Sequence, residues 1–278
     1  MNDDKKPSSP ALSRREQSVV DEHTKMRSPV IYEVIRTEGE IELQRPAASL
    51  WWSGVAAGVC ISVSPLAEGA LHHYLPDVPW QHVVTSFGYC FGFLIVILGR
   101  LQLFTETTIT AVLPLLAHWS TSTVKRTARL WGIVLAANLA GTFATAVLMT
   151  QVGLMPEAHL AAALEVAGGL LHLDWLQAAL YGIPAGFLVA AITWMLPKSE
   201  GSEFWVIVTL TYLIGVGGFT HVIAGSTEIF MLIMAGELGL GRALGGLLLP
   251  ILVGNVIGGT GLFALLAYGQ VREEIEEE

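Results

Sequence analysis

His221 is the side chain in this chain best placed to do chemistry. It lies in Gly217-Gly218-Phe219-Thr220-His221-Val222-Ile223-Ala224-Gly225-Ser226-Thr227-Glu228, a polar, glycine-rich break inside a long apolar run. An imidazole titrates near neutral pH and is expensive at membrane depth, so a histidine in this setting lines a solute or proton path. A second break, Arg100-Leu101-Gln102-Leu103-Phe104-Thr105-Glu106-Thr107-Thr108, brings a hydroxyl and two charges into another apolar run. A hydroxyl holds a solute oxygen, and an imidazole polarises or moves a proton. The structural alternative makes His221 a satisfied core histidine bridging the breaks and Thr105 a cap for the half-helix that follows. Arg100, Glu106 and Glu228 are expected to form a buried charge network in which Arg100 neutralises one glutamate, because buried charges need partners. The functional alternative puts a carboxylate in the path, where it would repel anions and favour cations, neutral solutes or a proton relay. Phe91, Ile95 and Ile214 are candidates for apolar constrictions, with ordinary helix packing as the alternative for each. His72 and His73, with Glu68 and Asp77, read as polar residues of an outer loop rather than a metal site.

Only a membrane protein accommodates this composition. Of 278 residues, 53% are hydrophobic and 14% charged, and mean hydropathy is +0.57. Soluble domains carry about 25% charged residues. Cys60 and Cys90 lie in apolar segments and suit neither a disulfide framework nor a metal cluster. The net charge of -9 comes partly from the acidic tail 273–278 and does not suggest a nucleic-acid partner. Residues 1–46 contain no apolar run of signal-peptide length. No His-Glu-x-x-His, Gly-x-Ser-x-Gly or phosphate-binding loop is present, so an enzyme is not expected, nor a cofactor.

Three regions are expected: a cytoplasmic N-terminal extension over 1–46, a transmembrane channel domain over 47–268 and an acidic cytoplasmic tail over 269–278. Ser13-Arg14-Arg15-Glu16 has the pattern of a capping box, and residues 29–44 read as a surface helix. Six apolar segments follow, at about 48–66, 83–115, 127–152, 176–196, 204–235 and 242–268. A straight span needs about 20 residues. The second and fifth are too long and hold the two polar breaks. Irregular backbone at membrane depth is tolerated only where protein or a water-filled cavity covers it, so two broken helices point to a pathway. Lysine and arginine concentrate in the N-terminal tail, at Lys125, Arg126 and Arg129, at Lys198 and at Arg272, which places both termini in the cytoplasm.

The halves read as a 3+3 inverted repeat. Gly54-Val55-Ala56-Ala57-Gly58 matches Gly182-Ile183-Pro184-Ala185-Gly186, Thr105-Glu106 matches Thr227-Glu228, and Asn138-Leu139-Ala140-Gly141 matches Asn255-Val256-Ile257-Gly258. The small residues in these matches support close helix packing.

These motifs resemble the formate/nitrite transporter family. Leu103-Phe104-Thr105 is similar to its Leu-Phe-Thr loop, and Gly218-Phe219-Thr220-His221-Val222-Ile223-Ala224 to its Gly-Phe-x-His-x-x-Ala stretch. Asn138-Leu139-Ala140-Gly141 and Gly254-Asn255-Val256-Ile257-Gly258 are similar to its third- and sixth-span signatures. The resemblance covers about 47–268. It implies an all-α, aquaporin-like six-helix fold, a homopentamer with one pore per protomer, and passage of small monovalent anions such as formate, nitrite, hydrosulfide, acetate and lactate. The path would run past Leu103, Phe104, Thr105, Thr220 and His221. Three positions depart from the family pattern. Gly225 replaces an asparagine, no lysine or arginine occurs between Arg129 and Lys198, and Glu106 stands where a small polar residue is usual.

The function expected is a multi-pass inner-membrane channel or transporter for small anions or their weak acids. An isolated anion is far more costly in hydrocarbon than its neutral acid, with an idealised transfer cost of order 20 kcal/mol. A proton reaching the anion from His221, or from water polarised by it, would let the acid cross, with Thr105 holding its oxygen and half-helix N-termini adding positive potential. The glutamates and missing lysine set against it a neutral-solute or cation channel of the same fold. A non-conducting scaffold or sensor, binding a partner through residues 1–46, is the other alternative.

Overall fold

The computed structural model describes residue 13 and residues 26–276. The Ser13-Arg14-Arg15-Glu16 pattern lies largely outside them. Every regular element among the described residues is helical. Five helices are long and apolar enough to cross a membrane: Ala47–Tyr74, Gln81–Leu98, Thr121–Thr150, Trp175–Lys198 and Arg242–Ile275. Phe104–Ala117, Glu203–Val216 and Val222–Met234 are shorter apolar helices. The two overlong segments are therefore broken helices, as their polar interruptions predict.

In chain order, α1 is Ser28–Gln44, α2 Ala47–Ile61, α3 Val63–Tyr74, α4 Gln81–Thr85, α5 Tyr89–Leu98, α6 Phe104–Thr110 and α7 Leu113–Ala117. Then come α8 Thr121–Thr150, α9 Glu157–Ala167, α10 Trp175–Met195, α11 Glu203–Val216, α12 Val222–Met234, α13 Leu249–Val256 and α14 Leu265–Glu276. Local chemistry sets several starts. Ser120 accepts from the Thr123 N–H (3.1 Å) at the head of α8. Asp174 and Gln177 bond reciprocally (2.8 and 3.1 Å) at the head of α10, which satisfies helix-start amides that have no partner inside the helix.

Glycine contacts hold the long helices together. A Cβ at Gly58 would collide with the Asn138 carbonyl, and one at Gly141 with the Val55 carbonyl. The other half repeats this: Gly186 meets the Asn255 carbonyl and Gly258 the Ile183 carbonyl. Only a hydrogen at these positions lets the backbones close to dispersion contact, the main source of helix association where lipid is as apolar as the side chains.

The expected boundary at 46/47 cuts through one packed body. Helix α1 buries Ile31, Tyr32, Ile35 and Leu43. Its apolar face packs in a cluster with Ile109, Val112, Leu113, Ala264 and Val271. Gly39 lies against the Thr110 carbonyl. Its polar face carries Arg36 paired with Glu33 and Glu40. Burial pushes the Tyr32 phenol up to about 12. At the other end, α14 runs on to Glu276 with no break near 268, so part of the expected tail is a continuation of the last helix.

Candidate functional site

Each break has the same backbone plan. After α5, the Arg100 N–H donates to the Ile97 carbonyl (3.1 Å) and the Leu101 N–H to the Val96 carbonyl (3.0 Å). After α11, the Gly218 N–H donates to the Gly215 carbonyl and the Phe219 N–H to the Ile214 carbonyl, both at 3.0 Å. This is the Schellman closure, which needs a left-handed residue just past the helix. Gly218 takes it at φ 62°, and Arg100, against its side chain's preference, at φ 50°.

One asparagine then clamps each break. The Asn138 amide donates to the carbonyls of Gly54 and Gln102 (both 2.8 Å), and its oxygen accepts from the Phe104 N–H (2.9 Å). The Asn255 amide donates to the carbonyls of Gly182 (2.8 Å) and Thr220 (2.9 Å), and its oxygen accepts from the Val222 N–H (2.8 Å). Backbone groups released by the break would otherwise sit unpaired away from water. Asn138 and Asn255, expected as structural signatures, thus use both amide N–H donors and the amide oxygen on backbone groups.

The clamps also correct the expected register. Phe104 corresponds to Val222, Gln102 to Thr220 and Arg100 to Gly218. Glu106 therefore matches Ala224, and Glu228 matches Thr110. The pairing of Thr105-Glu106 with Thr227-Glu228 was a coincidence of two dipeptides four residues out of step, invisible until the asparagine bonds fix the frame.

The breaks meet at their half-helix starts. His221 is the N-cap of α12, and its Nδ1 accepts from the Ala224 N–H (3.2 Å). Its Nε2 lies 2.7 Å from Thr105 Oγ1, joining side chains 116 residues apart. A ring nitrogen that accepts an amide proton carries none itself, so the neutral ring bears its proton on Nε2 and donates it to Thr105. The Thr105 hydroxyl proton is left to donate elsewhere. Both residues are enclosed, Thr105 at 0% and His221 at 1% exposure. The Phe93 ring stands edge-on to the imidazole with centroids 5.0 Å apart. Around them Ser62 bonds Thr227 (2.9 Å) and Thr142 bonds Ser226 (2.8 Å), further ties between the halves.

Other expected residues fall elsewhere. Phe91 and Ile95 are 48% and 44% exposed. Each is two residues from Phe93, which turns it to the opposite side of α5, away from His221. The aromatic side chain at the centre is Phe93. Ile214 is buried in the main core, and its carbonyl closes the second break. Leu103 is the N-cap of α6 with no side-chain cap bond. Phe104 is buried with its ring against Trp131 (5.7 Å). The Thr220 hydroxyl donates to the Ala178 carbonyl (2.9 Å).

The expected charge network does not form. The Arg100 side chain is 88% exposed and reaches Glu38 at 3.9 Å. It lines a cavity of about 730 Å³ with Glu38, Glu42, Gln102, Glu106 and Glu203. The left-handed conformation at the break turns Arg100 out of the bundle, so it neutralises neither Glu106 nor Glu228. Glu68 is buried in α3 rather than placed in an outer loop. Its helix runs on to Tyr74, beyond the apolar segment that the sequence suggested. His72 of the same helix meets Glu165 at 3.3 Å. Sequence reasoning also missed Phe93, which carried no signal apart from its apolar neighbours.

The family model described as Formate/nitrite transporter matches residues 29–269. The chain belongs to the formate/nitrite transporter family. This is a family of channels and transporters, not of enzymes. Among curated proteins, the chain is 37% identical over 252 residues to the Inner membrane protein YfdC of Escherichia coli (strain K12), covering 91% of this chain and 81% of that one. It is 27% identical over 241 residues to the Uncharacterized transporter YrhG of Bacillus subtilis (strain 168), covering 83% and 89%. Among solved structures, an FNT family ion channel superposes with TM-score 0.74 at 18% identity, covering 87% of this chain and 98% of that one. A pentameric formate channel with formate bound gives 0.69 at 20%, covering 82% and 98%. The family's fold begins within α1, consistent with the packing of that helix on the bundle.

Proposed function

We propose that this transporter passes small monovalent anions or their weak acids, formate and nitrite among them, along a path centred on Thr105 and His221. The observation that carries the reading is the 2.7 Å bond between these residues where the two half-helices begin. His221 donates to Thr105, and Thr105 donates to the solute oxygen. The imidazole thus sharpens the hydroxyl as a donor while its own Nδ1 stays committed to the helix cap. The N-termini of α6 and α12 add partial positive charge. Phe93 and Ile214 provide apolar constriction. The solute crosses as its neutral acid, because the buried centre offers no lysine or arginine to hold a charge.

The corresponding clamps support a 3+3 inverted repeat of six spans, with α1 as part of the conducting body. Lysine and arginine placement supports cytoplasmic termini in an inner membrane, and the fold shared with a pentameric channel supports a homopentamer. Stopped-flow flux in proteoliposomes tests the reading, with formate, nitrite, acetate and glycerol. Formate flux should rise at acid pH and fall at least about tenfold, ~1.4 kcal/mol of barrier, in His221→Ala and Thr105→Val. Glycerol flux without anion flux would refute the anion reading.

A second reading, a neutral-solute or cation channel of this fold, draws on Glu38, Glu42, Glu106 and Glu203 around the cavity beside Arg100. It requires Glu106→Gln to change selectivity; unchanged selectivity with poorer assembly would leave Glu106 a bracing role.

A further inference from the structure

The half-helix that carries Thr105 is short. Helix α6 has seven residues, too few to hold a direction by its own hydrogen bonds. Helix α12, capped by His221, runs unbroken for 13 residues. Asn138 holds the start of α6, but its far end loosens before α7. The Ala111 N–H still bonds the Thr107 carbonyl (3.2 Å), while the Val112 N–H takes the Ile109 carbonyl (3.0 Å), three residues back. Four residues back is Thr108, whose carbonyl is thereby left out of the ladder. Thr108 is 0% exposed, and a buried carbonyl without a partner is costly.

Thr260 supplies the partner. Its hydroxyl donates to the Thr108 carbonyl (2.6 Å), 152 residues away in the chain. The Thr108 hydroxyl in turn donates to the Thr105 carbonyl (2.7 Å), and the Thr105 hydroxyl meets His221 Nε2 (2.7 Å). Three successive hydrogen bonds thus join the last span to the imidazole through Thr105. The last span is shaped for this contact. Thr260 lies in a π-helical stretch, Ile257–Ala264. A π turn holds an extra residue, which rotates the side chains by about 100° relative to an uninterrupted α-helix. Gly259 lets the span close in, since a Cβ there would sit 2.1 Å from the Thr108 hydroxyl oxygen.

The second half-helix repeats the inner bond and lacks the outer one. In the matched register Ser226 corresponds to Thr108, and its hydroxyl donates to the Ile223 carbonyl (2.7 Å). Thr142 bonds that hydroxyl (2.8 Å), but α12 continues through this step and releases no carbonyl. The Thr260 bond therefore answers a need of α6 alone, the half-helix whose hydroxyl faces the solute in the path proposed above.

We propose that Thr260 is a positioning residue for that path. Through Thr108 it fixes the axis of α6, and so the direction in which Thr105 presents its hydroxyl to the solute. This rests on the weak-acid reading. Without Thr260, the far end of α6 would be held by the Trp131 Nε1 bond to the Thr107 carbonyl (3.1 Å), one residue short of the released group. A group misplaced by about 1 Å costs up to about 10²-fold in rate, so the mount of the hydroxyl matters as much as its presence.

Flux in proteoliposomes and the imidazole signal test this together. In Thr260→Val the formate-to-acetate flux ratio should change at least about threefold; the ratio does not depend on how much protein is active. Thr260→Ser keeps the hydroxyl and should restore the wild-type ratio. Thr145→Val removes a hydroxyl that donates within α8 to the Gly141 carbonyl (3.0 Å) and should leave the ratio unchanged. The nitrogen-15 resonance of His221 Nε2, assigned by its absence in His221→Asn, should shift in Thr260→Val and return in Thr260→Ser. An unchanged ratio and an unshifted resonance in Thr260→Val, with the oligomer intact on size exclusion, overturn the proposal. So does an equal fall in both fluxes with an unshifted resonance, the mark of a merely structural role. If Thr260→Val loses the oligomer, Thr108→Val cuts the second link and carries the same two readings. Wild-type liposomes that pass neither acid would refute the path, and the His221 resonance would then decide by itself whether Thr260 acts on Thr105.

Discussion

The two helix breaks share a frame and differ in what they place on it. Both close with a Schellman turn, both take a left-handed residue at the same step, and both are clamped by an asparagine through three matching bonds. At the cap of the second half-helix stands His221; at the cap of the first stands Leu103. Two residues into the first half-helix stands Thr105; at that step in the second stands Ile223. The acid–base group and the hydroxyl therefore come from non-equivalent positions, and their bond crosses the pseudo-symmetric frame. The surroundings diverge too. Beside the first break is the cavity with Arg100 and Glu106; Glu228, on the second half-helix, is half-buried. The matched clamps hold irregular backbone at membrane depth, and different side chains on that frame give the two breaks different surroundings.

If the frames are equivalent, their clamps should fail equally. Asn138→Ala and Asn255→Ala each strand two carbonyls and one N–H in a buried setting, at about 1–3 kcal/mol per group. Both should collapse the oligomer peak on size exclusion to a similar degree; a large gap between them would break the equivalence. The caps should behave differently. His221→Asn keeps a capping oxygen but loses the Nε2 donor, so thermal stability should recover relative to His221→Ala while weak-acid flux stays low. Leu103→Asn offers a cap to the first half-helix but removes a fully buried core side chain, so it should lower stability. Flux that returns in His221→Asn would reduce the histidine to a cap. The smallest effect concerns the left-handed step. Arg100→Gly should stabilise by about 1 kcal/mol, while Gly218→Ala should destabilise by a similar amount. Opposite shifts in melting temperature would confirm the matched register, and same-sign shifts would contradict it.

Much of this was legible in the chain. The overlong apolar runs with polar interruptions announced broken helices, because no straight span is that long and no bilayer tolerates loose backbone. His221 and Thr105 stood out as polar groups in those interruptions. Asn138 and Asn255 stood out as matched signatures, though nothing local revealed that each would bond three backbone groups across two elements. The charges were misread for the same reason. Arg100 and Glu106 are near in sequence, yet the left-handed turn sends the arginine outward, and Glu68 falls past the end of an apolar run although its helix continues. The facing of α5 was also out of reach, since Phe91, Phe93 and Ile95 are equally apolar and only packing chooses which one meets the imidazole.

Composition and periodicity alone determined that this is a helical membrane protein with two interrupted spans, because hydrophobic length and backbone satisfaction are local demands that each segment must meet by itself. Which side chains meet was decided by the tertiary structure. The Thr105–His221 bond, the Ser62–Thr227 bond and the crossing of the frame all join residues more than a hundred positions apart. Their encounter depends on how glycine contacts and asparagine clamps set the helices against one another.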